Sequence, residues 1–224
     1  MIHSSELAKI GLFRDVPQSD LANLVPGVMP MRVLKGQTVI EKGERTSDVF
    51  IVLNGRLVGV LISAEGKEVA YAEFRRTAYF GELAALDDGP RSLTVHAAEE
   101  CLVGKISGPQ FLDWLDNYPR IARNLMIDLS YRNRGLNERI FELVVHDVET
   151  RVRLLLVRLA MESDQLHDGG HLDPAPTHSD IAAHVGANRE AVSRVFARLA
   201  KSGVIESGRK KITLLEVETL VEGL

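Results

Sequence analysis

The spacing of apolar residues changes character twice along the chain. From Ser4 to Val25, Leu7, Ile10 and Leu12-Phe13 recur at helical spacing, and Asp15-Val16-Pro17-Gln18 interrupts them, which predicts short helical pieces. From Val28 to Ile106 the chain consists of short β-rich runs, among them Thr38-Val39-Ile40, Val49 to Leu53 and Leu57 to Ile62. Lys42-Gly43, Asn54-Gly55 and Ala64-Glu65-Gly66-Lys67 separate them. Asn-Gly favours a type I′ hairpin turn, because both central residues then need positive φ. Strands at this spacing predict a small antiparallel sandwich or jelly-roll barrel.

From Pro109 the pattern turns helical and stays so to about Val145. Leu129, Leu136 and Leu143 fall at heptad d positions, and Met126, Asn133 and Ile140 at the preceding a positions. Such a seam predicts a two-stranded coiled coil between two copies of the chain, with Asn133 setting its register. One amphipathic helix lying on its own barrel is the alternative. Asp147 starts a further helix, Val148 to Met161, and Ser163 to Pro176 reads as a polar loop bearing Gly and Pro. The expected division is therefore 1–108, 109–145 and 146–224, with a boundary near Val145-His146. The fold class is α+β.

Composition narrows the setting. Of 224 residues, 45% are hydrophobic and 26% charged, as in ordinary globular proteins. No apolar run approaches the roughly 20 residues needed to cross a bilayer. Met1 to Lys9 lack the pattern of a signal peptide. Cys101 is the single cysteine, which excludes an internal disulfide and a cysteine-based cluster, and a cytoplasmic location is expected. The net charge of −4 hides a local excess. Between Ala187 and Lys211, Arg189, Arg194, Arg198, Lys201, Arg209, Lys210 and Lys211 face only Glu190 and Glu206.

Candidate chemistry lies in two segments. In Phe80-Gly81-Glu82-Leu83-Ala84, followed by Pro90-Arg91-Ser92 and Thr94-Val95, Arg91 offers a planar fork for phosphate oxygens. Glu82 can accept from a ribose hydroxyl, Gly81 permits close backbone approach, and Ser92 adds a hydroxyl. The Asp- and Gly-rich stretch between Glu82 and Arg91 is read as a loop wrapping the ligand. In the second segment Thr177, with Asp180 three residues later, starts a helix that Gly186 stops. Asn188 caps the next, Arg189 to Ala200, in which Arg189, Glu190, Ser193 and Arg194 lie near the start. Ile181, Val185, Val192, Val195, Phe196 and Leu199 would pack together as a helix-turn-helix. Arg and Glu on its outward face suit guanine and cytosine edges. Val204-Ile205, Arg209-Lys210-Lys211 and Ile212-Thr213-Leu214 read as a basic wing hairpin, with Lys210 near phosphate.

Together these motifs resemble the CRP/FNR (catabolite activator) family over nearly the whole chain. The resemblance implies a cyclic-nucleotide-binding β-roll, a long dimerisation helix and a winged helix-turn-helix. It further implies a homodimeric transcription regulator that binds double-stranded DNA at palindromic sites with GTGA-like halves and works with RNA polymerase. Residues midway along the long helix are then expected to meet the base. In cAMP-responsive members a Thr-Ser pair stands there, whereas this chain has Leu136-Asn137. Asn137 can pair with adenine or guanine, Leu136 with neither, and Arg132 is a second candidate contact. The expected ligand is cAMP, with cGMP open. Two alternatives stand beside this: a regulator of the same fold that ignores cyclic nucleotides or senses another effector, and a nucleotide-sensing subunit that controls a protein partner.

Other features carry less. His167 and His171 lie four apart in a glycine-bearing loop with no third ligand at a diagnostic spacing, so no metal is expected. Trp114 and Cys101 read as core residues. No catalytic triad, carboxylate pair or P-loop is evident, and no enzyme activity is expected.

Overall fold

The computed structural model describes residues 2–62 and 68–224, so the separator Ala64-Glu65-Gly66-Lys67 lies outside the described residues. The chain divides into two compact units, 1–133 and 134–224. In the first, α1 (Ser4–Leu7) and α2 (Gln18–Leu24) precede β1 (Met29–Val33), β2 (Thr38–Ile40), β3 (Val49–Asn54), β4 (Arg56–Ile62), β5 (Glu68–Arg75) and β6 (Tyr79–Phe80). Then come α3 (Glu82–Asp87), β7 (Thr94–Ala97), β8 (Cys101–Ile106), α4 (Gly108–Asn117) and the start of α5 (Pro119–Val145). Among the described residues the strands form two antiparallel sheets here, ordered β1-β8-β3-β6 and β2-β7-β4-β5.

The unbroken apolar run Val49 to Leu53 has a simple cause. Phe50 and Val52 join Leu57, Val95 and Val103 in the core between the sheets. Val49, Ile51 and Leu53 enter a second core with Leu7, Phe13, Phe111 and Trp114, under the helices. A strand covered on both faces needs no polar alternation. Cys101 is buried in the inter-sheet core, as its apolar run predicted, and burial pushes its thiol above the usual range.

Asn54-Gly55 does not close a hairpin. Its flanking strands β3 and β4 belong to different sheets, and the turn carries the chain from one to the other. Gly55 has φ +88, but Asn54 remains in β3. The glycine serves a close approach: a Cβ there would stand 2.6 Å from Cys101 Sγ and 2.8 Å from the Glu100 carbonyl oxygen. The stretch read as a wrapping loop is also different, because Glu82–Asp87 is helical, starting at Gly81 (φ +89) and ending at Asp88 (φ +53). Leu83-Ala84-Ala85-Leu86 is a run of good helix formers, and only Asp88 to Pro90 remain as loop.

In the second unit, α5 runs on to Val145, and Asp147 caps α6 (Val148–Glu162) through the Thr150 amide. That bond holds the Asp147 carboxyl below its usual range. Then follow β9 (His171–Leu172), α7 (His178–Val185), α8 (Arg189–Lys201), β10 (Ile205–Gly208), β11 (Lys211–Leu214) and α9 (Val217–Val221), with sheet order β10-β11-β9. The polar loop thus contains a short strand, pinned by buried Leu172. The helix α9, not predicted, buries Leu220, and Arg153 donates to the Leu220 and Thr219 carbonyls.

The last turns of α5 belong to this second unit. Arg139 donates to the Ala183 carbonyl at 3.0 Å, Glu142 pairs with Arg158, and Leu143 lies against Gly186. The helix ends at Val145, but the compact units therefore divide after Asn133. Gly55→Ala tests the crossing between sheets. It should lose about 2 kcal/mol or more in urea unfolding, and a loss below about 0.5 kcal/mol would mean the site relaxes freely.

Candidate functional site

Burying two ionic side chains within ten residues of sequence requires partners for both. Glu82 and Arg91 are each 3% exposed. Arg91 is tied by its backbone to the turn before β3: its amide donates to the Glu44 carbonyl, and its carbonyl accepts from the Gly43 amide. Its guanidinium donates from Nε to Thr46 Oγ1 at 2.9 Å, from Nη1 to the Gly81 carbonyl at 2.9 Å and from Nη2 to the Asp48 carbonyl at 2.8 Å. These bonds use three of the five N–H groups and leave one on each terminal nitrogen for an anion. Burial lowers the Arg91 pKa, opposed by Asp48, Glu44 and Glu82. Gly81 is required at this point. A Cβ would stand 2.8 Å from the Asp48 carbonyl and 2.9 Å from Arg91 Nη1.

Glu82 Oε1 accepts from Arg132 Nη1 of α5 at 2.8 Å. Arg132 also lies over the Tyr79 ring, 4.8 Å from its centroid, and the Tyr79 hydroxyl donates to Asp128 at 3.0 Å. The structure brings Gly81, Glu82, Arg91 and Arg132 together through these bonds. Leu83 and Ser92 are exposed beside them. Thr46, Asp48, Tyr79 and Asp128 were missed, because nothing local in their sequence marks them as neighbours of the cassette. Leu136 and Asn137 lie farther along α5, in the second unit, and both are exposed. Of the heptad positions, Met126 and Ile140 are 61% and 59% exposed, whereas Leu129 packs on its own unit's core.

In the second unit the helix-turn-helix forms as its caps dictate. Thr177 and Asp180 make a reciprocal capping box, Gly186 (φ +61) ends α7, and Asn188 Oδ1 accepts from the Ala191 amide. Val192, Val195, Phe196 and Leu199 bury one face of α8. That burial leaves Arg189, Glu190 and Arg194 exposed on its first two turns. Ser193 is instead half-buried and bonded to His178 Nδ1 at 2.9 Å, and the His178 ring packs on Phe196. Lys210 stands exposed with φ +58 between β10 and β11, at the tip of the wing. The linear charge excess is smaller in space, since Arg198 pairs with Glu149 at 2.6 Å.

Comparison with known proteins agrees with this layout. Residues 30–118 match the cyclic nucleotide-binding domain, and residues 150–222 match the Crp-like helix-turn-helix domain. The chain belongs to the CRP/FNR family. It is 29% identical over 216 residues to a CRP-like cAMP-activated global transcriptional regulator of Mycobacterium tuberculosis, covering 96% of each chain. It is 26% identical over 178 residues to the cAMP-activated global transcriptional regulator CRP of Escherichia coli, covering 79% of this chain and 85% of that one. Its fold is similar to that of the c-di-GMP responsive global regulator CLP of Xanthomonas campestris, with a TM-score of 0.75 at 19% identity over 89% of this chain and all of that one. Like its CRP/FNR relatives, the protein is a transcription regulator with a cyclic-nucleotide-binding and a DNA-binding domain, and not an enzyme. No described helix is long and apolar enough to cross a membrane.

Thr46→Val removes the acceptor of Arg91 Nε at nearly constant shape. Denaturant unfolding should show a loss of about 1–3 kcal/mol; an unchanged midpoint would mean that Arg91 is not held by Thr46.

Proposed function

We propose that this chain works as a homodimer whose affinity for palindromic, GTGA-type DNA sites is set by a cyclic nucleotide, cAMP first and cGMP second. The observation that carries the reading is the buried cassette. Arg91 is held with two N–H groups to spare, Gly81 is kept open beside it, and Glu82 is buried one residue on. Arg91 takes the cyclic phosphate, with Ser92 alongside, and Glu82 accepts from the ribose 2′-hydroxyl. Asn137 is the candidate for the base, with Leu136 packing against it, and Leu83 closes over the ligand. Exposed Met126 and Ile140 support a seam between two α5 helices, joined by Leu129, Asn133, Leu136 and Leu143. The functional division we adopt is 1–108 for the nucleotide, 109–145 for dimerisation and 146–224 for DNA.

Arg189, Glu190 and Arg194 read base edges, while Thr177, Asn188, Ser193 and Lys210 contribute to the backbone-facing surface. The nucleotide selects the one arrangement of the helix pair that sets the recognition helices about 34 Å apart, one turn of DNA. RNA polymerase is the further partner, and the cytoplasm the compartment, as befits a gene regulator. A second reading rests on Leu136, which offers no hydrogen bond where the family resemblance expects one. In it the protein keeps its DNA reader but answers to another effector.

Fluorescence anisotropy on a duplex with inverted GTGA half-sites separates these readings. Affinity should rise with cAMP or cGMP; tight binding indifferent to both favours the second. On the same duplex, Arg189→Ala should cost about 1–3 kcal/mol and relax the preference at one guanine. Lys210→Ala should weaken binding to specific and random DNA alike and reduce the salt slope by about 1. Equal losses on both DNAs for the two variants would contradict the assignment.

A further inference from the structure

Residues outside the cassette decide where the cation beside Glu82 goes. Arg132 and Asp128 are one turn apart on α5, the spacing at which a carboxylate and a guanidinium on one helix pair with each other. They do not pair in this way here. Arg132 Nη1 reaches Glu82 Oε1 at 2.8 Å, while Asp128 Oδ2 accepts from the Tyr79 hydroxyl at 3.0 Å. The Tyr79 ring, 4% exposed, lies under the Arg132 guanidinium with 4.8 Å to its centroid. One side chain thus occupies the competing carboxylate with its hydroxyl and supports the cation with its ring.

We infer that Tyr79 and Asp128 are positioning residues of the cassette: the Tyr79–Asp128 hydrogen bond keeps Arg132 on Glu82 rather than on Asp128. The inference rests on the proposed nucleotide site for its functional consequence, though not for its geometry. Glu82 is buried, so without Arg132 its carboxylate loses its direct ion-pair partner. Its carboxylate is then free to turn, and a turned carboxylate is a poorer acceptor for a ribose hydroxyl. An anionic ligand also approaches a neutralised Glu82–Arg132 pair more readily than a bare carboxylate. A carboxylate has several lone-pair sites, so one bond from Arg132 leaves capacity for the ribose. The pair therefore prepares Glu82 for the nucleotide rather than competing with it. Burial holds the Tyr79 phenol well above its usual pKa, which keeps the donor protonated through the physiological range.

The test uses the full-length protein and three variants: Tyr79→Phe, Asp128→Asn and both together. Tyr79→Phe releases the Asp128 carboxylate and should draw Arg132 away from Glu82. Calorimetric affinity for cAMP, or for cGMP if that is the nucleotide bound, should fall about tenfold, the equivalent of one good charge-assisted hydrogen bond. Asp128→Asn still accepts from Tyr79 but no longer attracts Arg132, and should bind within about threefold of the wild type. The double variant removes the competitor altogether and should recover most of the affinity lost by Tyr79→Phe. A purely structural hydroxyl predicts the opposite, a double variant at least as weak as Tyr79→Phe, and that result would overturn the inference. Amide exchange of the Gly81–Asp87 segment in nucleotide-free protein gives the same comparison without any ligand. Exchange should quicken in Tyr79→Phe and slow again in the double variant; equal exchange in all four proteins would also overturn it. If the wild type binds neither nucleotide while exchange follows this order, the cassette lock stands and the cyclic-nucleotide reading fails.

Discussion

The compensation of two buried charges governs the N-terminal unit. Glu82 and Arg91 lie in one short stretch, and neither can be taken from water without partners. Arg91 draws its acceptors from the turn before β3 and from the Gly81 carbonyl. Glu82 draws its cation from α5. Each requirement fixes something larger. The first holds the cassette to the edge of the barrel, and the second holds the middle of the long helix, at Arg132, to the cassette. An apolar pair at these positions would fill the same space, but would demand no such arrangement of strand, turn and helix.

The β-roll supplies the rigid support this needs. Phe80, the residue before Gly81, stacks on Phe50 at 5.2 Å and meets Phe74 at a tilt, 4.9 Å between centroids, between the two sheets. Phe50 belongs to β3, which is buried on both faces. The cassette therefore begins from β6, a short edge strand paired to β3 through Phe50 and Phe80. Gly81, left-handed and crowded by Asp48 and Arg91, turns the chain at once from that strand into α3. In a nucleotide-binding domain, a site anchored this way can hold its donors in place before a ligand arrives, which reduces the ordering cost of binding.

The second unit solves a different problem, that of presenting polar side chains on a small apolar core. Its helices are capped by their own sequence, and α8 shows an amphipathic face wide enough to bury Val192, Val195, Phe196 and Leu199. What remains outward on its first turns is Arg189, Glu190 and Arg194. The C-terminal turns of α5 are fastened to this unit through Arg139, Glu142 and Leu143.

Much of this was legible in the sequence, and for local reasons. Caps, glycine stops and the 3.6-residue spacing mark α7 and α8, because each depends on residues within one or two turns of one another. The run Phe80 to Val95 identified the cassette by residue types at short range. What the sequence misread depends on partners far along the chain. Asn54-Gly55 carries a hairpin signal, yet which strands pair is decided by sheet-wide packing, and here it serves a crossing beside Cys101. The short strand β9 exists only because β11 offers it an edge. The basic cluster loses Arg198 to Glu149, 49 residues away in sequence. Thr46, Asp48, Tyr79 and Asp128 surround the cassette with no motif of their own. The sequence by itself determined which groups carry charge, which helices start and stop, and which faces are apolar. Only the tertiary structure decided which charges meet, because burial makes each ion choose a partner by distance in space and not by distance along the chain.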